Sequence, residues 1–248
     1  MSVFLVGGVP GESVAEAFDG FVAQAKRRGD RVAVVLLGDE EEAGGQLDAY
    51  AAPLTSRWPE VRIEPVWLLD DEDEGETSWP ENPEELAGIV VGGGLVPGYL
   101  DGVAPQRDLL ARLLRGGVPY LGFSAGAMIV SKHAIAGGWR DGDREIAPEI
   151  AGEGRSELDI RDGLGLIGPT VDVHADTWTV LDRGVAALLR GPLTSVVAID
   201  ETACLVVDVT SGRSTVLGKG RVAWLSRRGG EVSVRPQDAG RASGPVAE

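Results

Sequence analysis

Short apolar runs alternate with helical stretches through the first half of the chain, and this alternation constrains the fold more than any other feature. The β-branched apolar runs lie at residues 31–37, 61–69 and 88–91. The helical stretches lie at residues 12–28, 41–57 and 105–115. Continuous apolar strands suit a parallel sheet covered on both faces, and strand–helix alternation gives right-handed βαβ units. We therefore predict a doubly wound, mostly parallel α/β fold.

The pattern changes after residue 190, where short strands follow each other closely. Apolar runs lie at residues 196–199, 203–207, 214–217, 222–225 and 232–235, with turn signals such as Ser211-Gly212 and Gly229-Gly230 between them. This spacing predicts an antiparallel extension on one edge of the sheet. We expect a single domain over residues 1–236 and a frayed, polar tail over residues 237–248.

Charge and apolar patterning exclude two classes of partner. The net charge of −16 leaves no basic patch to neutralise phosphates, so nucleic acid is not an expected partner. No apolar run reaches the roughly 18 residues that a membrane span needs. The acidic run at residues 70–76 is interpreted as a solvated, self-repelling loop in preference to a trap for cationic substrates.

Cysteine content and the first residues indicate the compartment. Cys204 is the only cysteine, which excludes an internal disulfide, a thiolate zinc site and a CxxC redox pair. Residues 2–8 have no basic stretch and are too short for a signal peptide, so we interpret them as a buried strand ending in a glycine turn. A cytoplasmic protein without metal or cofactor is expected, and a homodimer stays open.

Ser124 is the strongest candidate for a catalytic residue. It lies in the run Gly122-Phe123-Ser124-Ala125-Gly126, between a predicted strand at 118–123 and a predicted helix at 125–136. A G-x-S-x-G run at such a junction forms a sharp turn that exposes a nucleophilic hydroxyl at the carboxyl edge of the sheet. The alternative is a serine that caps an ordinary helix.

An oxyanion hole requires backbone N–H groups that point at the reacting carbonyl oxygen. The N–H of Ala125 is one natural donor. An earlier predicted strand ends in three glycines, and Gly93 and Gly94 are candidates for the second donor. A phosphate-binding loop would need a following Gly-Lys-Ser/Thr, which is absent. The oxyanion role is therefore favoured over a phosphate site or a plain turn.

A serine nucleophile needs a base, and the chain offers two histidines. His133 is predicted to lie about two and a half turns into the helix after Ser124 and to point away from it. His174 ends a predicted strand at residues 169–173, whose carboxyl end belongs to the edge of the sheet where Ser124 is expected. His174 is therefore the candidate base.

The carboxylate that would orient the base is less defined by sequence. Asp176 lies two residues after the histidine, Glu201 follows the run at 196–199, and Asp141 and Asp143 follow the predicted nucleophile helix. Spacing alone leaves all four open. Asp172 is a candidate for substrate binding.

These motifs together resemble the serine peptidases of the peptidase E and cyanophycinase family, which share the fold of class I glutamine amidotransferases. The matching segments are Gly122-Phe123-Ser124-Ala125-Gly126-Ala127, Asp172-Val173-His174, Ile199-Asp200-Glu201-Thr202-Ala203 and the hairpin at 215–224. The resemblance covers the chain from Gly92 to about Leu225. It implies a flavodoxin-like fold, a Ser124 nucleophile, a His174 base and Glu201 as third member. The peptidase E branch keeps an acid before the histidine as an alternative.

Departures from the family pattern concern the substrate. Cyanophycinases carry a glutamine where this chain has Val173, arginines soon after the histidine, and Asp-Gln where this chain has Leu95-Val96. We place Leu95 at the substrate site. Since the missing polar groups bind the β-aspartyl-arginine unit, the expected reaction is cleavage of a small peptide or isopeptide, without true cyanophycinase activity. Trp139 and Trp178 are pocket candidates, with core packing as the alternative.

Three alternatives stay beside this hypothesis. A catalytically silent or regulatory member of the same fold would explain the missing polar residues. An α/β-hydrolase carboxylesterase normally carries a late histidine, whereas about 70 residues follow His174. A class I glutaminase would require cysteine in place of Ser124.

Overall fold

The computed structural model describes residues 2–69, 77–240 and 242–245, and the backbone alone for the last of these ranges. The acidic run at residues 70–76, interpreted above as a solvated loop, lies outside the described residues.

Strands and helices alternate through the first half, as the sequence predicts. The helices are α1 (Ala15–Ala25), α2 (Glu40–Arg57), α3 (Val96–Val103), α4 (Arg107–Arg115), α5 (Ala125–Met128) and α6 (Leu181–Arg190). The strands are β1 (Ser2–Val6), β2 (Arg31–Leu37), β3 (Arg62–Leu68), β4 (Gly88–Val91), β5 (Tyr120–Phe123), β6 (His133–Gly137), β7 (Arg140–Asp141), β8 (Arg144–Glu145), β9 (Asp159–Asp162), β10 (Thr170–Asp172), β11 (Ser195–Ile199), β12 (Ala203–Asp208), β13 (Arg213–Gly218), β14 (Arg221–Arg228), β15 (Glu231–Asp238) and β16 (Ala242–Pro245).

An eight-stranded sheet in the order β16-β13-β12-β1-β5-β4-β2-β3 forms the centre of the fold. Neighbouring strands from β1 to β3 pair in parallel, whereas β12, β13 and β16 add antiparallel pairs beyond β1. Parallel neighbours place their carboxyl ends at one edge, where open α/β folds bind ligands. The predicted doubly wound, mostly parallel fold is confirmed.

Both faces of this sheet are buried, and successive residues of one strand enter different cores. In β2, Ala33 and Val35 belong to one core, while Val34 and Leu36 belong to the other. Helices α1 and α2 cover the second core, and α3, α4 and α6 contribute to the first. Alternate side chains of a strand point to opposite faces, so the uninterrupted apolar runs follow from burial on both sides.

The late strands do not all extend one edge of the large sheet. Strands β12 and β13 do so, as predicted, but β11, β14 and β15 join β10 in a separate four-stranded sheet in the order β10-β11-β14-β15. Strand spacing predicts antiparallel hairpins without saying to which sheet each belongs. The second sheet contains β10 and β11, the strands that precede His174 and Glu201.

The predicted helix at 125–136 is wrong beyond Met128. Helix α5 ends at Met128, and the chain then forms β6, which pairs with β9. Ala134, Ile135 and Ala136 are fully buried there. A short apolar run without polar alternation fits a buried strand or a buried helix equally well, and the β9 pairing decides for the strand.

The tail contains a strand where the sequence predicts fraying. Strand β16 pairs with β13, and β15 continues to Asp238. This pairing satisfies backbone groups that β13 would otherwise expose as an edge strand.

Helices α3 and α6 are not predicted from sequence. None of the described helices is long and apolar enough to cross a membrane.

Candidate active site

Ser124 lies directly after β5 in a strained backbone conformation. Its φ of 49° and ψ of −113° are rare for a residue with a side chain. Its N–H donates to the Val6 carbonyl at 3.0 Å, and its side chain makes no capping bond to α5. A Cβ added to Gly126 would lie 2.5 Å from the Val91 carbonyl oxygen. Glycine there allows the turn to pass close to β4.

His174 follows β10 and lies against the serine. Its Nε2 is 2.8 Å from Ser124 Oγ, and its Nδ1 is 2.8 Å from Glu201 Oε1. The carboxylate accepts a hydrogen bond from Nδ1–H, which assigns Nε2 as the acceptor for the serine hydroxyl. The residue is 8% exposed and has a φ of 54°. Its N–H donates to the Gly7 carbonyl at 3.1 Å.

Glu201 follows β11 by two residues, and hydrogen bonds with Thr177 and Asp176 hold it in place. Thr177 Oγ1 donates to Glu201 Oε1 at 2.9 Å, the oxygen that also faces the imidazole. The Glu201 N–H donates to Asp176 Oδ1 at 2.9 Å. A Cβ on Gly8 would lie 2.7 Å from the Glu201 carbonyl oxygen, so the glycine turn after β1 leaves room for this segment.

The other carboxylates left open by spacing have different neighbours. Asp176 binds the backbone of Glu201. Asp141 pairs with Arg190, and Asp143 is exposed in the β7–β8 hairpin. Of the four candidates, the structure brings only the Glu201 carboxylate within hydrogen-bond distance of the histidine ring among the described residues.

Asp172 is predicted to bind substrate, and its surroundings contradict that role. The side chain is fully buried, and it pairs with Arg183 through Nη2–Oδ1 at 2.6 Å and Nε–Oδ2 at 3.0 Å. Asp172 Oδ1 also accepts from the Val173 N–H at 2.9 Å. Because Arg183 is buried too and donates to the Ala151 carbonyl, the pair ties the end of β10 to α6 and to the loop before β9.

The predicted oxyanion donors are partly corrected. The Gly93 N–H donates to the Tyr50 hydroxyl at 2.9 Å, so it is already occupied. In the described ranges, the N–H groups of Gly94 and Ala125 have no hydrogen-bond acceptor. A Cβ on Gly93 would lie 3.8 Å from Ser124 Oγ, which places the turn beside the serine hydroxyl. Gly94 and Ala125 are therefore the available donors.

Leu95 and Glu153 lie beside this turn. Leu95 is 57% exposed, and the next residue, Val96, donates its N–H to Glu153 Oε2 at 3.2 Å. Burial raises the pKa of Glu153. The carboxyl of Glu153 thus caps the first turn of α3, and an apolar leucine side chain is presented to solvent next to the glycines.

Trp178 packs on His174, whereas Trp139 and His133 lie elsewhere. Its ring lies 4.1 Å from the His174 ring, centroid to centroid, with 31° between planes. Trp139 packs against the Arg140 guanidinium at 5.0 Å. His133 begins β6, with its Nδ1 3.5 Å from Asp162. His133 therefore has the structural position that sequence favours, although on a strand.

Sequence reasoning missed the polar residues that support the site. Tyr50, Arg183 and Thr177 contact it through hydrogen bonds to residues 43, 11 and 24 positions away in the chain, which no local motif encodes. Cys204 is buried in β12, and burial raises the pKa of its thiol. Within the described part of the chain, no group of three or more His, Cys, Asp or Glu side chains is arranged to hold a metal.

Known proteins resemble this chain in sequence over part of its length. Cyanophycinases of Trichormus variabilis and of a Nostoc species are each 35% identical over 120 residues, which are 48% of this chain. The match covers 37% of each relative's own length. No protein-family model matches the sequence.

A solved structure agrees over nearly the whole chain. The crystal structure of a peptidase from an acI-B1 Actinobacterium superposes with a TM-score of 0.66, covering 98% of this chain and 96% of that one, at 20% identity. At this identity the likeness establishes a shared fold. The cyanophycinase similarity and this shared fold confirm the predicted resemblance to the peptidase E and cyanophycinase family.

Proposed function

We propose that the protein is a serine hydrolase that cleaves a small peptide or isopeptide bond. The observation that carries the proposal is the continuous hydrogen-bond chain from Ser124 Oγ through His174 to Glu201, with 2.8 Å at each step. A hydroxyl, an imidazole and a carboxylate in this order are the components of a nucleophilic triad. Similarity to cyanophycinases and to a peptidase fold supports the peptide-like substrate.

In the first half-reaction, Ser124 Oγ attacks the carbonyl carbon of the scissile bond while His174 Nε2 accepts the hydroxyl proton. The carbonyl oxygen becomes an oxyanion, and the N–H groups of Gly94 and Ala125 are the donors that we assign to it. The C–N bond then breaks, and the imidazolium gives its proton to the leaving amine. Glu201 stabilises the imidazolium and keeps the ring oriented.

In the second half-reaction, water replaces the amine. His174 Nε2 takes a proton from the water as its oxygen attacks the acyl carbon of the Ser124 ester. The ester bond breaks, the serine oxygen regains the proton, and the carboxylic acid leaves. Both half-reactions use the same base and the same oxyanion donors, so a single arrangement serves the whole cycle.

The surroundings of the triad favour substrates other than aspartyl peptides. Leu95 is exposed beside the glycine turn, and Trp178 covers the His174 ring, so apolar groups lie close to the reacting atoms. Arg183, a buried cation near the end of β10, is already paired with Asp172. We therefore expect peptides or isopeptides with neutral or apolar residues at the scissile bond to react faster than acidic ones.

A library of dipeptides and isopeptides tests the function. We expect wild-type protein to release amines from some members, and Ser124→Ala to lower the rate by at least about 10³-fold. Ser226→Ala is the matched control, because that exposed hydroxyl bonds to Ser233 in the β14–β15 hairpin. Full turnover by Ser124→Ala would contradict the proposal. A folded wild type that turns over no member would favour a catalytically silent protein.

A further inference from the structure

In the glycine turn, residues 92–94, the backbone groups of Gly92 and Gly93 each have a specific partner. The Gly92 carbonyl accepts from the Gly126 N–H at 3.1 Å. The Gly93 N–H donates to the Tyr50 hydroxyl at 2.9 Å, and the Gly93 carbonyl accepts from the Tyr99 hydroxyl at 3.2 Å. Both groups of the 92–93 peptide and the carbonyl of the 93–94 peptide are therefore fixed.

The two tyrosines approach the turn from opposite faces of the large sheet. Tyr50, on α2, lies in the core with α1, and its ring packs edge-on against Phe123 with centroids 5.4 Å apart. Tyr99, on α3, lies in the other core and is fully buried. The Leu37 N–H donates to the Tyr99 oxygen at 3.2 Å. Because the Tyr99 oxygen accepts from the Leu37 N–H, the Tyr99 O–H is the donor in the bond to the Gly93 carbonyl.

The Tyr99 bond also sets the direction of the Gly94 N–H. The Gly93 carbonyl and the Gly94 N–H belong to the same planar trans peptide and point in opposite directions. Holding the carbonyl therefore aims the N–H, which has no acceptor in residues 2–69, 77–240 and 242–245. Burial raises the pKa of Tyr50 and of Tyr99, so both stay protonated.

We propose that Tyr50, on the 92–93 peptide, and Tyr99, on the 93–94 peptide, are positioning residues that hold the turn so that the Gly94 N–H donates to the oxyanion. This inference rests on the proposed function, since it assigns a role within the same site. An oxyanion donor is effective when it is oriented before the charge develops, because no reorganisation is then needed during the reaction. The tyrosine pair supplies that orientation from two rigid helices.

The rate of inactivation by a fluorophosphonate measures this role without a known substrate, because the phosphoryl oxygen occupies the oxyanion position. We expect Tyr99→Phe and Tyr50→Phe each to lower the second-order rate constant by about tenfold, less than the loss of a whole donor. Thr170→Val is the matched control. It removes another buried hydroxyl that donates to a backbone carbonyl, that of His133, at 2.7 Å. Its inactivation rate should equal that of wild type.

A second measurement separates orientation of the donor from general loosening. In a Ser124→Cys background, alkylation by iodoacetamide needs the nucleophile but no oxyanion donor, whereas acylation by p-nitrophenyl acetate needs both. Adding Tyr99→Phe to this background should slow acylation by about tenfold. The rate of alkylation at the position 124 thiol should stay unchanged. Thermal unfolding of each variant verifies that the proteins compared are folded.

The outcomes distinguish this inference from the function on which it rests. Wild-type labelling at Ser124 with unchanged rates in folded Tyr50→Phe and Tyr99→Phe would overturn the positioning role and leave the hydrolase intact. Equal losses of alkylation and acylation would overturn it too, as they indicate general disorder of the site. A wild type that the probe never labels at Ser124 would overturn the function and the positioning role together.

Discussion

Ser124 follows a strand of the eight-stranded sheet, whereas His174 and Glu201 follow two strands of the four-stranded sheet. The serine side is built from close backbone packing: glycines let β4, β5 and α5 approach each other, as the 2.5 Å distance from a Gly126 Cβ to the Val91 oxygen indicates. The site therefore forms only where the two sheets meet.

The base side is built from polar contacts between residues distant in sequence. Thr177 and Asp176 hold Glu201, and the buried Asp172–Arg183 pair fixes the strand end that carries the histidine. Steric packing of glycines tolerates no added atom, while polar contacts depend on charge and protonation. The two sides should therefore respond differently to substitution, and the predictions below test that difference.

The largest effect is expected at the carboxylate of the base side. Glu201→Gln keeps the size of the side chain but removes the charge that stabilises the imidazolium, and we expect hydrolysis to slow by about 10³–10⁴-fold. The measurement is the steady-state rate on the best library substrate. Asp141→Asn is the control, because Asp141 pairs with Arg190 and does not touch the triad. A loss below tenfold for Glu201→Gln would assign the third role to another residue.

A large loss of stability is expected when the buried ion pair is broken. Asp172→Asn leaves the Arg183 guanidinium buried without its counter-charge, which should cost about 3–5 kcal/mol in the free energy of unfolding. Urea unfolding measures it. The exposed pair of Asp30 with Arg62 provides the contrast, and Asp30→Asn should change stability little. Equal effects of the two substitutions would show that the base side does not depend on its buried pair.

The smallest expected effect is on the pH dependence of stability, and it comes from Glu153, which lies where the serine side and the base side meet. Burial raises the pKa of Glu153, so the folded protein retains a proton that the unfolded chain releases, and stability falls as pH rises through that interval. Glu153→Gln can still accept from the Val96 N–H and removes this dependence. We expect its Tm to exceed that of wild type at neutral pH by about 1–2 °C, with the difference vanishing in acid.

Glu149→Gln is the matched control for that measurement, because Glu149 is an exposed carboxylate of the same loop. Its Tm should follow that of wild type across the pH range. A Glu153→Gln variant whose Tm stays parallel to wild type at every pH would contradict a destabilising buried charge at this position.

The serine side could be predicted from sequence because its determinants are local. Gly122, Ser124 and Gly126 lie within five residues, and a strained turn between strand and helix requires this spacing. The same local reasoning failed just beyond it. Residues 133–137 form β6 in place of a helix, because pairing with β9, about 25 residues later, overrides an ambiguous apolar run.

The base side could be predicted only in part. With two histidines in the chain, His174 follows by elimination, but spacing could not choose among four carboxylates. The choice depends on β10 and β11 being parallel neighbours, which brings their carboxyl ends together. The partners of Asp172 and Gly93 were likewise out of reach, since Arg183 and Tyr50 arrive through the packing of α6 and α2.

The central claim is that Ser124 is the nucleophile, and covalent labelling tests it most directly. Wild-type protein treated with a fluorophosphonate should gain the mass of one adduct per chain, located by peptide mass spectrometry at Ser124. Ser124→Ala should gain none, and His174→Gln should react far more slowly, because the hydroxyl loses its base. An adduct on another residue, or one that persists in Ser124→Ala, would contradict the account.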